Sequence, residues 1–365
     1  MRITFISPAG TMSGGCRVIA IYARSLRERG HDVTVVTMAQ PFRRTLKERL
    51  FGSPGPRLQP PSHFDIEQVP VKLIEGKDHV DDTDLPDADV VIATWWTTIE
   101  WVHALSTRKG EKFHFCQGHE AFSFLPIERV RAAYRLPVNK IVVAKWLADL
   151  MRDTYGSDFA DIVPNCVDQR LFYAVPRGKQ PKPTIGLLYA SADVKRFDLA
   201  FQAIERVRRN LPNLRVLCFG NEGPASPLPD FVDFSLKPAQ HTLREIYASC
   251  DVWLTASSSE GFNLPAMEAM ACRTPVVATQ TGWPAEAVVT GVNGACVGVD
   301  DLEGLVRETE QVLRLSDADW RAMSQRAFET VRDSSWDRST ELFEQALQRV
   351  VERSHRLDSS GPRPT

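Results

Sequence analysis

The sequence has few of the features that mark secreted, zinc-binding or membrane-spanning proteins. Its seven cysteines, an odd number, are spread from Cys16 to Cys296 without a C-x-x-C pair. This pattern argues against a disulfide framework and a zinc site, and it favours free thiols in a reducing compartment. No run approaches the ~20 apolar residues of a transmembrane helix, and the first apolar run is too short for a signal peptide. We therefore expect a cytoplasmic protein.

A strong excess of charge of one sign is also missing. The formal net charge is −2, so no basic field indicates a nucleic acid partner. Hydrophobic residues make up 43% and charged residues 25% of the chain, which is ordinary for a globular protein. The 365 residues are enough for two domains, each with its own core.

The order of apolar runs predicts alternating strands and helices. Residues 3–7 and 32–37 are predicted strands on either side of a helix, which is the start of a doubly wound α/β domain. A segment rich in proline, glycine and lysine predicts a linker before a second domain of the same kind. We expect Rossmann-like domains over residues 1–174 and 175–336, a helix over 337–353, and a disordered tail over 354–365.

The most informative stretch lies between residues 250 and 286. It is predicted to form a strand, a polar turn, a helix that opens at Pro265, and a second strand. The first N–H groups of such a helix lack partners inside it, so this helix end can bind a phosphate. Glu260 and Glu268 border the same pocket, where carboxylates suit the hydroxyls of a sugar or ribose. The alternative is an ordinary strand-turn-helix unit with solvated glutamates.

The sequence E-G-F-N-L-P-A-M-E, with seven residues between its glutamates, resembles the E-x7-E signature of GT4-like glycosyltransferases. The following P-V-V-A-T segment and Glu286 continue the resemblance. The resemblance covers nearly the whole chain and is strongest in the second domain. It implies the GT-B fold, in which two Rossmann-like domains face a central cleft and a C-terminal helix crosses back to the first domain.

The resemblance also implies roles for these residues. Glu268 would hold the ribose hydroxyls, and Glu260, as a catalytic residue, would hold a sugar hydroxyl near the reacting carbon. Lys195, backbone amides and the helix dipole would stabilise the departing diphosphate. The donor-binding amides are those of Phe262, Asn263 and Leu264.

Lys195 and Arg196 stand just ahead of the first helix of the second domain. Two adjacent cationic side chains usually belong to a solvated surface. In a loop that faces a nucleotide, they would instead neutralise the charge of a diphosphate. GT4-like enzymes place an arginine and a lysine six residues apart here. Lys195 matches the lysine, whereas Tyr189 stands at the arginine position. Arg196 would then have to reach back toward the diphosphate and take the place of the missing arginine.

Gly14 and Gly15 lie where the first helix begins, and absent side chains let the backbone approach a phosphate there. The spacing is not G-x-G-x-x-G, so a dinucleotide fingerprint is weakly supported, and a glycine pair also occurs as simple turn chemistry. The resemblance favours the first interpretation, because GT4-like enzymes carry a Gly-Gly loop close to the donor's phosphate.

Two predicted strands of the first domain end in side chains that suit a ligand site. Trp95 and Trp96 follow one strand and His119 follows the next, and ligands of such sheets bind beyond the strand ends. The tryptophans fit an acceptor wall and internal packing equally well. The resemblance assigns His119 a catalytic contact with a hydroxyl of the donor sugar.

Residues 41–51 (PFRRTLKERLF) read as a basic amphipathic helix. We favour a surface helix packed on the core. The alternative is contact with anionic lipid or a lipid-linked acceptor, which would place the protein peripherally at the inner membrane surface.

These observations predict a glycosyltransferase that moves a sugar from a nucleotide diphosphate-sugar to a saccharide, lipid-linked or other hydroxyl acceptor. The resemblance implies retention of the anomeric configuration, no metal and no cofactor, and a role in polysaccharide, glycolipid or glycoconjugate synthesis. A sugar-nucleotide epimerase, a phosphorylase-type enzyme and a non-catalytic GT-B-like binding protein stay open. An NAD-dependent dehydrogenase would leave the E-x7-E stretch unexplained.

Overall fold

The computed structural model describes residues 1–39 and 60–359. The basic helix predicted over residues 41–51 lies outside the described residues. The chain divides into two compact units: the first is Met1–Val163 with the chain from Ser339 onward, and the second is Pro164–Arg338.

The first unit is built on a parallel sheet of seven strands. The strands are β1 (Arg2–Ser7), β2 (Asp32–Met38), β3 (Val71–Ile74), β4 (Val90–Ala93), β5 (Glu111–Cys116), β6 (Asn139–Val142) and β7 (Asp161–Ile162). The helices are α1 (Gly14–Glu28), α2 (His63–Ile66), α3 (Trp96–Ala104), α4 (Ile127–Tyr134) and α5 (Lys145–Tyr155). The strand order is β3-β2-β1-β4-β5-β6-β7, so the chain reverses its direction of travel across the sheet between β1 and β4.

The second unit repeats this plan with six parallel strands. The strands are β8 (Thr184–Tyr189), β9 (Arg215–Gly220), β10 (Val232–Leu236), β11 (Val252–Thr255), β12 (Val276–Thr279) and β13 (Gly294–Val297). The helices are α6 (Phe197–Asn210), α7 (Gln240–Ala248), α8 (Leu264–Ala271), α9 (Pro284–Ala287), α10 (Leu302–Arg314) and α11 (Asp317–Val331). The order is β10-β9-β8-β11-β12-β13, and its reversal lies between β8 and β11.

The central strands are apolar on both faces, which explains why they lie inside the sheets. All four residues of β4 and all four of β12 are buried, as expected when helices cover both faces of a parallel sheet. In such doubly wound sheets the crevice for a ligand opens at the carboxyl ends of the strands, where the strand order reverses. Each unit therefore has one such edge.

The last helix, α12 (Trp336–Ser359), returns the chain to the first unit. Phe343 is fully buried there, with its ring stacked on Tyr22 at 4.7 Å and edge-on to Phe115 at 5.2 Å. Glu344 accepts hydrogen bonds from Arg29 at 2.6 Å and lies 2.8 Å from His31 Nε2. These contacts account for the predicted return of a C-terminal helix to the first domain.

Two boundaries differ from those expected from the sequence. The units divide after Val163 rather than at residue 174, because the intervening chain bonds to the second unit: Val167 N donates to Ser334 Oγ at 3.2 Å. The last helix continues through residues 354–359, where a disordered tail was expected. There Ser354 hydrogen bonds to Glu111, which adds a tertiary contact that composition does not reveal.

Candidate functional site

The stretch between residues 250 and 286 lies at the β8–β11 reversal of the second unit. The chain leaves β11 through a polar turn that carries Glu260 and enters α8, whose second residue is Pro265. The neighbouring turn after β8 contains a short 3-10 helix, Asp193–Lys195. Ser258 N donates to Val194 O at 2.8 Å, so the two turns are bonded to each other at the sheet edge.

Lys195 and Glu260 form an ion pair at this edge. The Lys195 ammonium donates to Glu260 Oε1 at 2.6 Å, and the Ser257 hydroxyl donates to the same oxygen at 2.7 Å. The Glu260 side chain is 8% exposed and that of Lys195 is 30% exposed. The carboxylate is thus held in one orientation, while the ammonium remains accessible to an anion.

Asn263 shapes the entrance of α8. Its backbone is left-handed, with φ 80°, a conformation that asparagine tolerates better than most residues. Its side chain accepts from Ala266 N at 3.4 Å and donates to Thr255 Oγ1 at 3.1 Å. Asn263 therefore caps the helix with its side chain, so only its backbone amide is left for a ligand.

The backbone amides at this helix end are open, which here means that they have no hydrogen-bond acceptor within the described residues. Within residues 1–39 and 60–359, the N–H groups of Phe262, Asn263 and Leu264 donate to no protein acceptor. With the positive end of the helix dipole behind them, they form a site suited to an anion. Phe262 itself is buried and its ring lies against that of Trp283 at 5.9 Å, which supports the turn from below.

Gly282 allows this turn to pack tightly. Its φ is +59°, and a Cβ atom there would lie 2.8 Å from both Glu260 Cβ and Phe262 O. Any larger residue would therefore displace the segment that carries Glu260. The motif analysis assigned no role to this glycine, which lies between the P-V-V-A-T segment and Glu286.

Glu268 lies one turn inside α8 and is 4% exposed. The Tyr247 hydroxyl donates to its Oε2 at 2.9 Å. This contact orients the carboxylate. No local sequence pattern indicates Tyr247, which lies on a different helix, α7.

Arg196 is directed to acidic neighbours of its own unit. It forms ion pairs with Asp198 and with Asp300. The pKa of the Arg196 guanidinium is raised, chiefly by its hydrogen bond with Asp198. Tyr189, at the position of the family arginine, is buried and accepts from Ala225 N at 3.2 Å. In this structure Arg196 is engaged by carboxylates, in contrast with the compensating role expected from the sequence.

The glycine pair of the first unit opens α1 at the carboxyl end of β1. Ser13 caps this helix by accepting from Cys16 N at 3.3 Å. Among the described residues, no atom lies within 4 Å of a Cβ built on Gly14, whereas one on Gly15 would lie 3.7 Å from Gln117 Nε2. Space is therefore open beside Gly14 for an approaching group.

The two tryptophans differ in exposure. Trp96 is 5% exposed and packs inside the unit, with the Arg129 guanidinium 5.3 Å from its ring. Trp95 is half-buried and precedes α3. Glu120, which the sequence interpretation did not single out, accepts from Trp96 N at 2.7 Å, and burial raises its pKa to about 8. Packing thus accounts for Trp96, and only Trp95 has surface to offer a ligand.

His119 is half-buried at the carboxyl end of β5, close to Tyr134 and Tyr155. Its Nε2 lies 2.6 Å from the Tyr155 hydroxyl. Burial, assisted by the charge of Arg131, lowers the pKa of His119. The ring is therefore neutral at pH 7, with one nitrogen that can donate and one that can accept a hydrogen bond from a hydroxyl group.

The described part of the chain has neither a metal-binding cluster nor a membrane-spanning helix. No cluster of three or more histidine, cysteine, aspartate or glutamate side chains there could hold a metal ion. No helix among residues 1–39 and 60–359 has the length and hydropathy needed to cross a membrane.

Within each unit, the predicted residues gather at the reversal edge. In the second unit these are Lys195, Glu260, Phe262, Asn263, Leu264 and Glu268, with Arg196 turned toward carboxylates. In the first unit Gly14, Gly15, Trp95, Trp96 and His119 follow three neighbouring strands. The supporting residues Ser257, Tyr247, Gly282, Glu120 and Tyr155 emerge only from the structure.

Two family models match successive parts of the chain. The model described as Glycosyltransferase Family 4 matches residues 12–171. The model described as Glycosyl transferases group 1 matches residues 183–315. Together they account for the core of both units.

Several curated relatives come from mycobacteria. The D-inositol 3-phosphate glycosyltransferase of Mycobacterium leprae (strain Br4923) is 32% identical over 161 residues, which are 40% of this chain and 38% of that protein. The enzyme of the same name from Mycobacterium marinum (strain ATCC BAA-535 / M) is 29% identical over 246 residues, or 61% of this chain and 51% of that protein. These matches span about half of the relatives' length or less.

Solved structures resemble the chain over nearly its full length. Sucrose-phosphate synthase from Thermosynechococcus elongatus has a TM-score of 0.75 at 18% identity, covering 97% of this chain and 100% of that chain. Anabaena HepE, solved in complex with UDP-glucose, has a TM-score of 0.73 at 15% identity, covering 95% and 99%. The solved structures show that the chain has the GT-B fold, and the two family models, which together match most of the chain, place it among the GT4-like glycosyltransferases.

Proposed function

We propose that this protein transfers a glycosyl group from a nucleoside diphosphate-sugar to a hydroxyl acceptor, with retention at the anomeric carbon. The observation that carries the proposal is the Lys195–Glu260 pair beside three open backbone amides at the start of α8. A cation, a carboxylate and a helix end then converge where a diphosphate and a sugar have to be held together.

In the proposed reaction, the bond between the anomeric carbon and the diphosphate oxygen breaks, and its electron pair leaves with the diphosphate. The acceptor oxygen bonds to the anomeric carbon, and its proton passes to the departing phosphate. Lys195 and the amides of Phe262, Asn263 and Leu264 stabilise the charge that develops on the leaving group. Glu260, held by Ser257, accepts a hydrogen bond from a hydroxyl of the sugar.

The second unit is the proposed donor domain and the first unit the proposed acceptor domain. Glu268 binds the ribose hydroxyls, and Tyr247 sets its orientation. In the first unit, the amides beside Gly14 and Gly15 approach the donor phosphate. His119 contacts a sugar hydroxyl as a neutral ring, and Trp95 offers an apolar surface to the acceptor.

UDP-sugars are the first donors to test, because the HepE neighbour is solved with UDP-glucose and a Staphylococcus aureus TarM neighbour with UDP. Inositol phosphate joins saccharides and lipid-linked saccharides among the acceptors, because the mycobacterial relatives are named for it. We expect catalysis without a metal ion, so a chelator should leave the rate unchanged. We expect the reaction to take place in the cytoplasm, or peripherally at the inner membrane surface.

The test is a panel of nucleotide-sugars with and without acceptors, read by mass spectrometry of products and by NMR of the new anomeric centre. The expected result is a glycosylated acceptor that keeps the donor's anomeric configuration. Interconversion of the donor sugar without an acceptor would support an epimerase instead. Binding of donor with neither product would support the non-catalytic alternative, which the Tyr189 departure keeps open.

A further inference from the structure

A second groove lies wholly within the first unit, between the entry to β6, the turn after α5, and α12. It encloses about 1190 Å³ of space, part of it open solvent, which is room enough for a small ligand. None of the donor-site residues of the second unit lines it. The polar and aromatic residues that matter are Arg135, Lys140, Ser157, Phe159, Arg349 and Arg353.

The groove has more cations than carboxylates. Its lining includes Arg135, Lys140, Arg349 and Arg353 against two carboxylates, those of Asp158 and Asp161. Asp161 is already paired with Arg349, and Asp158 is exposed. The lining thus carries a surplus of two positive charges, which favours an anionic occupant.

Two of these guanidinium groups lack an acidic partner among the described residues. Arg135 lies over the ring of Tyr155, 5.7 Å from its centre, and forms no ion pair there. Within residues 1–39 and 60–359, the Arg353 guanidinium donates only to the side-chain oxygen of Asn139, at 3.4 Å. Guanidinium groups bind phosphate oxygens through paired N–H donors, so both have donors to offer a ligand.

Two polar groups inside the groove are poorly satisfied. Lys140 is 6% exposed, yet its ammonium donates only to the carbonyls of Leu136 at 3.4 Å and Val138 at 3.3 Å. The hydroxyl oxygen of Ser157 is buried and has no partner among the described residues. Buried polar groups normally find partners, and an anion in the groove would supply one.

The groove also has an apolar wall. Phe159 is 66% exposed, and the Arg349 guanidinium lies 5.8 Å from the centre of its ring. A large exposed aromatic ring beside cations suits a ligand with an organic part next to its charge.

We propose that this groove binds a phosphate-bearing ligand, with Arg135, Arg353 and Ser157 on the phosphate oxygens and Phe159 against the organic part. The phosphate comes from a soluble phosphate compound or from a phospholipid headgroup, and the two sources share this chemistry. The proposal does not depend on the transfer reaction.

The test compares the full chain with the double variant Arg135→Gln/Arg353→Gln. A matched control, Arg209→Gln/Arg326→Gln, removes two exposed arginines of the second unit. The probes are inorganic phosphate, followed by calorimetry, and phosphatidylcholine vesicles with and without phosphatidylglycerol, followed by co-sedimentation. Lys195→Ala separates this groove from the donor site.

We expect wild type, the control and Lys195→Ala to bind at least one probe, and the double variant to bind it about tenfold more weakly or worse. Ser157→Ala, which leaves the charges unchanged, should lower the affinity less. Binding of phosphate assigns a soluble ligand, and binding of phosphatidylglycerol vesicles alone assigns a headgroup. The proposal is overturned if wild type binds neither probe, or if the double variant binds as tightly as wild type. Loss of binding in Lys195→Ala would then assign the phosphate to the donor site.

Discussion

The two units share a strand order but differ in the chemistry of their reversal edges. The edge of the second unit carries an ion pair, Lys195–Glu260, and a helix end with open amides. The edge of the first unit carries neutral groups: the glycines that open α1, the half-buried Trp95, and His119 bonded to Tyr155.

The shared topology thus determines where a ligand can bind, and the side chains at each edge determine the chemistry. Both edges lie where a doubly wound sheet binds ligands. Among the described residues, only the second edge has the charges needed for a leaving diphosphate, whereas the first can offer hydrogen bonds and apolar surface. Breaking the charged edge should therefore cost the most activity.

The largest effect is expected from Glu260→Gln. The amide can still accept from Lys195 and Ser257, so the fold should persist, but the negative charge beside the sugar is lost. We expect turnover to fall by about 100-fold or more, with an unchanged melting temperature. Glu205→Gln, an exposed glutamate of the same unit, serves as the control. Full activity in Glu260→Gln would remove the residue from the proposed site.

Glu268→Gln sharpens the role of the ribose contact. Hydrogen bonds to charged groups contribute about 1.5–3 kcal/mol, so the donor nucleotide should bind about tenfold more weakly or worse. The 2′-deoxy form of that nucleotide should lose less affinity than the ribose form does. Equal losses for both forms, measured by calorimetry, would mean that Glu268 acts only through the fold.

Gly282→Ala tests the support of the charged edge. The new Cβ would lie 2.8 Å from Glu260 Cβ at a residue with φ +59°. We expect about 1–3 kcal/mol of destabilisation in denaturant titrations, together with reduced turnover. Gly223→Ala is the control, because nothing lies within 4 Å of its Cβ. A variant as stable and active as Gly223→Ala would contradict the packing argument.

The smallest effect at neutral pH is expected from His114, because this residue acts on the acid stability of the first unit. His114 is fully buried beside Tyr134, and burial, with the charge of Lys140, lowers its pKa from 6.5 to about 3. The folded state then binds fewer protons than the unfolded state, so stability falls as the pH drops from about 6.5 to about 3. The expected loss is about 1.4 kcal/mol per pH unit.

His114→Phe keeps an aromatic ring at this position and should remove that part of the acid limb. Denaturant titrations across this pH range make the measurement, with the exposed His103→Asn as the control. An acid limb that is the same in His114→Phe as in wild type would show that this histidine is not its source.

Much of the fold was predictable from local patterns. The buried runs of the central strands, such as residues 90–93 and 276–279, are apolar throughout and easily recognised. The edge strands β3 and β10 were missed because most of their residues are exposed or half-buried, so they lack an apolar run. The helices α4 and α7 were also missed.

The site was predictable only where it is local in sequence. Glu260 and Glu268 fall within one motif, so their placement around the start of α8 followed from the sequence. The pairing of Lys195 with Glu260 joins residues 65 positions apart, and no local pattern reveals such a contact. The engagement of Arg196 by Asp300 is equally non-local.

Calorimetric titration of nucleoside diphosphates, UDP first, tests the central claim most directly. We expect wild type to bind one of them at a single site. Lys195→Ala should bind it about tenfold more weakly or worse. The control Lys182→Ala, which removes an exposed lysine of the same unit, should bind as tightly as wild type. A wild type that binds no nucleoside diphosphate, or a Lys195→Ala variant that binds as tightly as wild type, would contradict it.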